Sequence, residues 1–332
     1  MASSLELQFA VAKISWLTTT EKLLLCRQLE NEAQFTALRV CDLENFFRRR
    51  IIVRSFSPDS LLREAAADRK ILTHKRIQYT FYEDTGYPPQ LREIYNPPFL
   101  LYYRGKLPDY ELPLLGVVGT RRPSGRAAKA AYALGFEAAS AGIGIVSGLA
   151  RGIDGRAHEG NVAGGGRTAA VLGCGIDFVY PASHRDLAAR IIENDGAIFS
   201  EYSPGVLPLR YHFPARNRIL SGLCRGVVVV EAPEHSGALI TADYALEQGR
   251  DLYVHSDGLS GAVGVGTARL AETGAPVIAS AAEVLTDWGL APRAPEGRAG
   301  TADTSLAGRM REELSGALVL HRGDYFRRNL HG

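Results

Sequence analysis

Between residues 114 and 288 the chain repeats one pattern: a short apolar run, a glycine-rich turn, then a helical stretch. The apolar runs fall at 114–118, 144–146, 168–172, 197–199, 227–230, 251–254 and 276–278. Helical stretches fall at 126–139, after the turn at 147–153, and at 183–193, 240–248, 267–272 and 281–288. Strands that return parallel to one another need crossovers of this kind. The alternation therefore predicts an α/β fold with a doubly wound, mostly parallel sheet and helices on both faces. Ligands of such sheets bind outside the carboxyl ends of the strands, so the turns there are where chemistry is expected.

One of those connections stands out. Residues 200–232 read SEYSPGVLPLRYHFPARNRILSGLCRGVVVVEA, ending in the strand 227–230 with Glu231 at its end. A Pro/Gly-punctuated loop carries Tyr202, Arg210, Tyr211, His212 and Phe213. A short helical pattern at Ile219, Leu220 and Leu223 has Arg216, Asn217, Arg218 and Arg225 around it. Guanidinium groups suit phosphates and aromatic faces suit bases, so the mixture fits a single-stranded nucleic acid. The same arginines could instead brace the loop against the sheet.

Other turns add to the picture. The first, GVVGTRRPSGR (116–126), offers free N–H groups at a helix start together with Arg121 and Arg122. It is not G-x-G-x-x-G, because bulky residues stand where a dinucleotide's pyrophosphate needs close approach. The second, SGLARGID (147–154), has Gly148 and Gly152 for close backbone approach and Arg151 within reach of a ligand. Asp154 is read as a helix N-cap and His158 as structural. The third, GCGID (173–177), holds Cys174 with no local base, a small buried residue rather than a nucleophile. Gly164 to Gly166 form a flexible lip ending in Arg167. Ser236 and Gly237 open a helix and make another anion cradle. Glu201 and Glu231 could form a carboxylate pair, but buttressing arginines is the plainer role.

Flanking segments differ in texture. Residues 1–70 read as a small helical domain of their own, from Leu23–Leu24–Leu25, Leu29, Phe35, Leu38, Leu43, Phe46 and Phe47. Its Arg48, Arg49 and Arg50 are expected on a solvated face. Residues 71–113 carry Tyr-Pro-Pro and Asn-Pro-Pro, which limit them to one short helix at 90–95 and a strand at 99–103. Residues 291–304 are a low-complexity linker, and 305–332 a short tail with one possible helix at 310–314.

Composition excludes several classes. A net charge of +2 means any nucleic-acid site must gather its arginines on one face. Cys26, Cys41, Cys174 and Cys224 are scattered without metal-ligand spacing, so neither zinc nor a disulfide framework is expected, and a reducing cytosol fits. No signal peptide or membrane span is expected.

The motifs SGLARGID, VLGCGID with Tyr180-Pro181, SEYSPG, HFPARNRILSGL, VVVVEA and SGALITADYALEQGR, in this order, resemble the DNA-processing protein A (DprA/Smf) family. The segment GYPPQLREIYNPPFLLYYRG is similar to its lead-in, and the likeness covers about 79–285. The resemblance implies an extended Rossmann-like domain that binds single-stranded DNA without catalytic turnover or cofactor. It also implies a homodimer that delivers strands to the RecA recombinase in natural transformation. It maps the DNA pocket onto Gly119, Thr120, Arg121, Ser147, Gly148, Arg167, Arg210, Asn217 and Arg218; by residue type, Tyr211 or Phe213 is expected to stack bases. The chain departs from the family at His255-Ser256-Asp257, where Val-Pro-Gly is usual. Its N-terminal part is only loosely similar, and the tail 305–332 leaves the family's winged-helix module short, degraded or missing. The alternative is an enzyme resembling the nucleoside-monophosphate phosphoribohydrolases. Residues 234–247 lack that group's paired glycines and have no threonine at the expected spacing. An NAD-dependent oxidoreductase is disfavoured by the first turn.

Overall fold

The computed structural model describes residues 4–290, 318–321 and 324–327. The linker at 291–304 and the helix at 310–314 lie outside them. The chain divides into two compact units, Met1–Arg293 and Ala294–Gly332. In the second, Leu318–His321 pairs antiparallel with Asp324–Arg327.

The first unit opens with helices α1 (Leu5–Ala12), α2 (Thr19–Gln28), α3 (Glu32–Thr36), α4 (Val40–Phe47) and α5 (Pro58–His74). Their starts are capped by the expected chemistry. Thr18 and Glu21 form a capping box on α2, and Ser57 with Pro58 opens α5. Leu7, Phe9, Phe35, Leu43 and Leu72 are buried in one continuous core with Leu149, Leu172, Ile176 and Ile198 of the sheet region. The helical part, expected as a small domain of its own, thus shares its core with the rest.

The sheet is built from β1 (Gln78–Phe81), β2 (Leu100–Gly105), β3 (Leu114–Val118), β4 (Gly144–Ser147), β5 (Ala169–Val171), β6 (Ala197–Ser200), β7 (Gly226–Val229), β8 (Asp251–His255) and β9 (Val277–Ile278). Its order is β1-β2-β6-β5-β4-β3-β7-β8-β9. From β6 to β9 every neighbour is parallel, while β1 and β2 add an antiparallel edge through the pairing of β2 with β6. The fold is α/β and Rossmann-like, as expected. Strand β7 is buried along its whole length, and each of its valines contributes about 1.5–3 kcal/mol through burial. Strand β1, QYTF, was not anticipated; its run is short and only half apolar.

The helices between strands are α6 (Gly125–Ser140), α7 (Ile153–Ala163), α8 (Arg185–Glu193), α9 (His212–Gly222), α10 (Gly237–Glu247), α11 (Val265–Glu272) and α12 (Ala281–Asp287). The short helix at 90–95 is a 3-10 turn, Pro89–Arg92. At the departure His255-Ser256-Asp257 the backbone makes a single 3-10 turn, Ser256–Gly258. There Asp257 accepts from Arg126 at 2.9 Å and 3.2 Å.

Strand order reverses between β3 and β7. The chain leaves β3 toward β4, β5 and β6, then crosses back to β7 on the other side. At such a switch point the connections diverge above and below the sheet, leaving a crevice at the strands' carboxyl ends.

Candidate nucleic-acid interface

Two adjoining hollows occupy that crevice. The larger, about 740 Å³, is lined by Gly119, Thr120, Arg121, Arg122, Arg210, Phe213 and Asn217, and by Ser236 to Ala238 at the start of α10. The smaller, about 410 Å³, is lined by Arg121, Arg122, Gly148, Arg151, Tyr180, Pro181 and Phe213. Arg121, Arg122, Tyr180 and Phe213 border both.

The turns that carry these residues are locked to one another. Thr120 N donates to Glu231 O at 2.7 Å, and Ile153 N donates to Thr120 O at 3.2 Å. The Glu231 carboxylate is buried and accepts from Ser124 N at 2.7 Å. Glu231 therefore holds the β3–α6 turn, and among the described residues it buttresses no arginine. Gly152, at φ +80°, brings its backbone against Thr120 and Arg121, where a Cβ would collide. The close approach expected at Gly148 and Gly152 is thus made to neighbouring protein atoms. At Gly148 a side chain would strike Arg216 and Asp154.

Arg216 and Asp154 form the floor beneath Gly148. The Arg216 guanidinium donates to Gly148 O at 3.0 Å, to Val171 O, and to Asn217 Oδ1 at 3.2 Å. Asp154 accepts from Gly148 N at 3.1 Å. Burial pushes the Asp154 carboxyl above its usual range, against the pull of Arg216. Asp154 is not the expected N-cap: Gly152 holds that position.

Phe213 sits over Gly173, under the Arg121 guanidinium at 5.4 Å from ring centroid, and 5.6 Å from the Tyr180 ring. The three side chains form an aromatic and cationic ridge between the hollows. Helix α9 begins at His212, so Phe213, Asn217 and Arg218 lie on a helix; the loop expected to carry Phe213 ends sooner.

The arginines divide into two sets. Arg121, Arg122, Arg151 and Arg210 are exposed around the hollows, and among the described residues none has a carboxylate at ion-pairing distance. Arg216 and Arg218 point inward. Arg218 donates to Glu201 Oε1 at 2.6 Å and to Asn96 O at 3.0 Å, and it lines neither hollow. Glu201 thus does buttress an arginine.

Three more of the mapped residues are each held by a protein contact. Ser147 is fully buried and donates to Val117 O at 2.6 Å, so its hydroxyl ties β4 to β3. Asn217 reaches the cleft wall while donating to Gly237 O at 3.1 Å. Arg167 precedes β5, its backbone against Gly144 at the start of β4, and its guanidinium is 3.9 Å from Asp195. It lies at the amino ends of the strands, away from the crevice, because a residue just before a parallel strand sits on the opposite edge from the turns that follow the strands.

Other singled-out groups are structural. His158 is buried, bonded through Nδ1 to Thr168 Oγ1 at 2.7 Å, and burial pulls its pKa down to about 3. Burial pushes the Cys174 thiol up to about 11, which disfavours the thiolate near neutral pH. The carboxylates of Glu201 and Glu231 are engaged separately, by Arg218 and by Ser124, and form no pair. Sequence reasoning missed Tyr180 as a wall of the smaller hollow and Arg216 with Asp154 as the floor. The Tyr-Pro dipeptide after the third turn was the available signal for Tyr180.

Residues 78–289 match the family described as DNA recombination-mediator protein A. The chain belongs to the DprA/Smf family. It is 42% identical to DNA processing protein DprA of Streptococcus pneumoniae over 205 residues, 62% of this chain and 72% of that one. It is 41% identical to protein Smf of Escherichia coli over 214 residues, 63% of this chain and 57% of that one. The match thus spans little more than half of the longer relative. The solved DprA structure from S. pneumoniae superposes with a TM-score of 0.67 at 32% identity, covering 86% of this chain and 98% of that chain. A solved DprA structure from Helicobacter pylori, described by its single-stranded DNA binding mode, gives 0.56 at 30% identity and covers 64% and 95%. DprA/Smf is a family of DNA-processing and recombination proteins. No helix among the described residues is long and apolar enough to cross a membrane.

Proposed function

We propose that this chain binds single-stranded DNA in the crevice above β3, β4 and β7 and acts as a recombination mediator that loads RecA recombinase onto the strand. One observation carries the reading. Four guanidinium groups with no carboxylate partner among the described residues, those of Arg121, Arg122, Arg151 and Arg210, surround a trough whose central ridge is Phe213 and Tyr180. Unpaired arginines attract phosphodiesters, and aromatic faces accept unstacked bases, which a duplex does not offer. The H. pylori relative, described by its single-stranded DNA binding, supports the same ligand.

In this reading the N–H groups at the starts of α6 and α10 add weaker anion contacts to the arginines. Chemistry on the DNA has no part in it, because the carboxylates near the cleft are engaged by Arg216, Arg218 and Ser124. The protein works in the cytosol as a homodimer.

The test is fluorescence anisotropy with a labelled dT oligomer and its duplex form. The single strand should bind more tightly, and Arg121→Glu with Arg210→Glu should weaken it at least tenfold. Equal binding by parent and variant would remove the assignment. Loading is read from RecA ATP hydrolysis on strands coated with single-strand-binding protein, which the parent should raise and the double variant should not.

A further inference from the structure

The third turn, GCGID, remains without a role in binding. Its apolar side chain Ile176 is buried in the core that the N-terminal helices share with the sheet, and Val179 packs against that core. Its polar groups face the other way, toward residues 202–206, the root of the segment that carries Arg210. Gly175 N donates to Val206 O at 2.8 Å. Asp177 accepts from Gly205 N at 2.9 Å through Oδ1, and from Lys75 Nζ at 3.0 Å through Oδ2. Lys75 is the C-cap of α5, the last residue of the N-terminal helices.

We propose that Asp177 is a positioning residue, through which the N-terminal helices fix the arginine-bearing wall of the cleft. The proposal rests on the reading of that cleft as a DNA site. Its basis is the carboxylate's two simultaneous partners, one on each body. Gly205 lies at φ +84°, a turn that leaves its N–H pointing at Asp177. Beyond that anchored root the chain is exposed: Leu207, Leu209 and Tyr211 are 61%, 41% and 67% accessible. An exposed segment holding a phosphate-binding arginine costs conformational entropy to order when ligand binds. A fixed root lowers that cost. The side chain of Asp177 is 9% exposed while that of Lys75 is 41% exposed. The bridge can therefore be cut from the helical side without opening the core.

The test uses the full chain with Lys75→Ala, Lys75→Arg and Asp177→Asn. Amide hydrogen exchange reports the root directly, without ligand. Residues 203–211 should exchange faster in Lys75→Ala and Asp177→Asn, and as in the parent in Lys75→Arg. Affinity for a dT oligomer should fall about threefold to tenfold in Lys75→Ala and recover in Lys75→Arg. The slope of log affinity against log salt should stay unchanged, because no phosphate contact is lost. Unaltered exchange in Lys75→Ala overturns the proposal. A slope reduced by about 0.7 overturns it too, since Lys75 would then touch phosphate itself. If the parent binds no oligomer, the reading of the cleft fails, while the exchange result still decides whether the bridge orders the segment.

Discussion

Arg218 donates to the Glu201 carboxylate at 2.6 Å, and their side chains are 10% and 27% exposed. The same guanidinium also holds Asn96 O, so it ties α9 to the loop before β2 and to the end of β6. Removing one member of such a pair strands the other in a poorly solvated site. Arg218→Ala should lower unfolding free energy by about 3 kcal/mol, read from urea denaturation followed by circular dichroism. In the folded fraction the salt dependence of oligonucleotide binding should match the parent. A lost phosphate contact at this position would contradict the inward placement.

Arg121 and Arg210 have the opposite character. Both are exposed, and neither is paired with a carboxylate among the described residues. Arg121→Ala and Arg210→Ala should each leave thermal stability within about 0.5 kcal/mol of the parent. Each should reduce the salt slope by about 0.7 per phosphate contact removed. Titrations from low to moderate salt check both.

Glu231 connects the central strand to the first turn through Ser124 N. Glu231→Ala removes the acceptor of the part-buried hydrogen bond from Ser124 N, at a cost of about 0.5–1.5 kcal/mol. It also frees the turn that aims Arg121. Melting temperature and oligomer affinity should fall together, and Glu231→Gln, which keeps an acceptor, should recover most of both. A catalytic carboxylate would not tolerate that replacement.

Buried histidine makes stability depend on acidity. Burial holds His158 at about 3, against roughly 6.5 when unfolded, and it also lowers His212 and His255. Above pH 6.5 His158 is neutral in both states and carries no penalty. As pH falls from 6.5 toward 3, the unfolded chain takes up a proton that the folded chain refuses. Stability is therefore lost on acidification through that window, by up to about 1.4 kcal/mol per pH unit from this residue. Denaturation midpoints between pH 7 and 4 should decline less steeply in His158→Asn, whatever its starting stability.

The parallel sheet was legible because each buried strand is a compact apolar run, as at Val227, Val228 and Val229, between glycine turns. Strand β1 was not, since Tyr79 and Phe81 alone do not separate an edge strand from a loop. The start of α9 was hidden by Pro214, which reads as loop punctuation. In the first turn of a helix its missing N–H has no partner to lose. The candidate site was half legible. Residue type brought Arg121 and Arg210 to notice, yet the same type at Arg216 and Arg218 serves the interior. Only the course of the backbone separates the two sets. Arg167 shows the converse: motif likeness placed it with the others, while its position ahead of β5 puts it on the far edge.

The reversal of strand order between β3 and β7 has a thermodynamic corollary. The trough's walls come from segments far apart along the chain, the turns near residues 120 and 150 on one side and 210 and 237 on the other. Whatever molecule lies across that seam acts as a clasp between the two halves of the sheet. Occupancy at a hundredfold excess over Kd would raise the free energy of unfolding by about 2.7 kcal/mol.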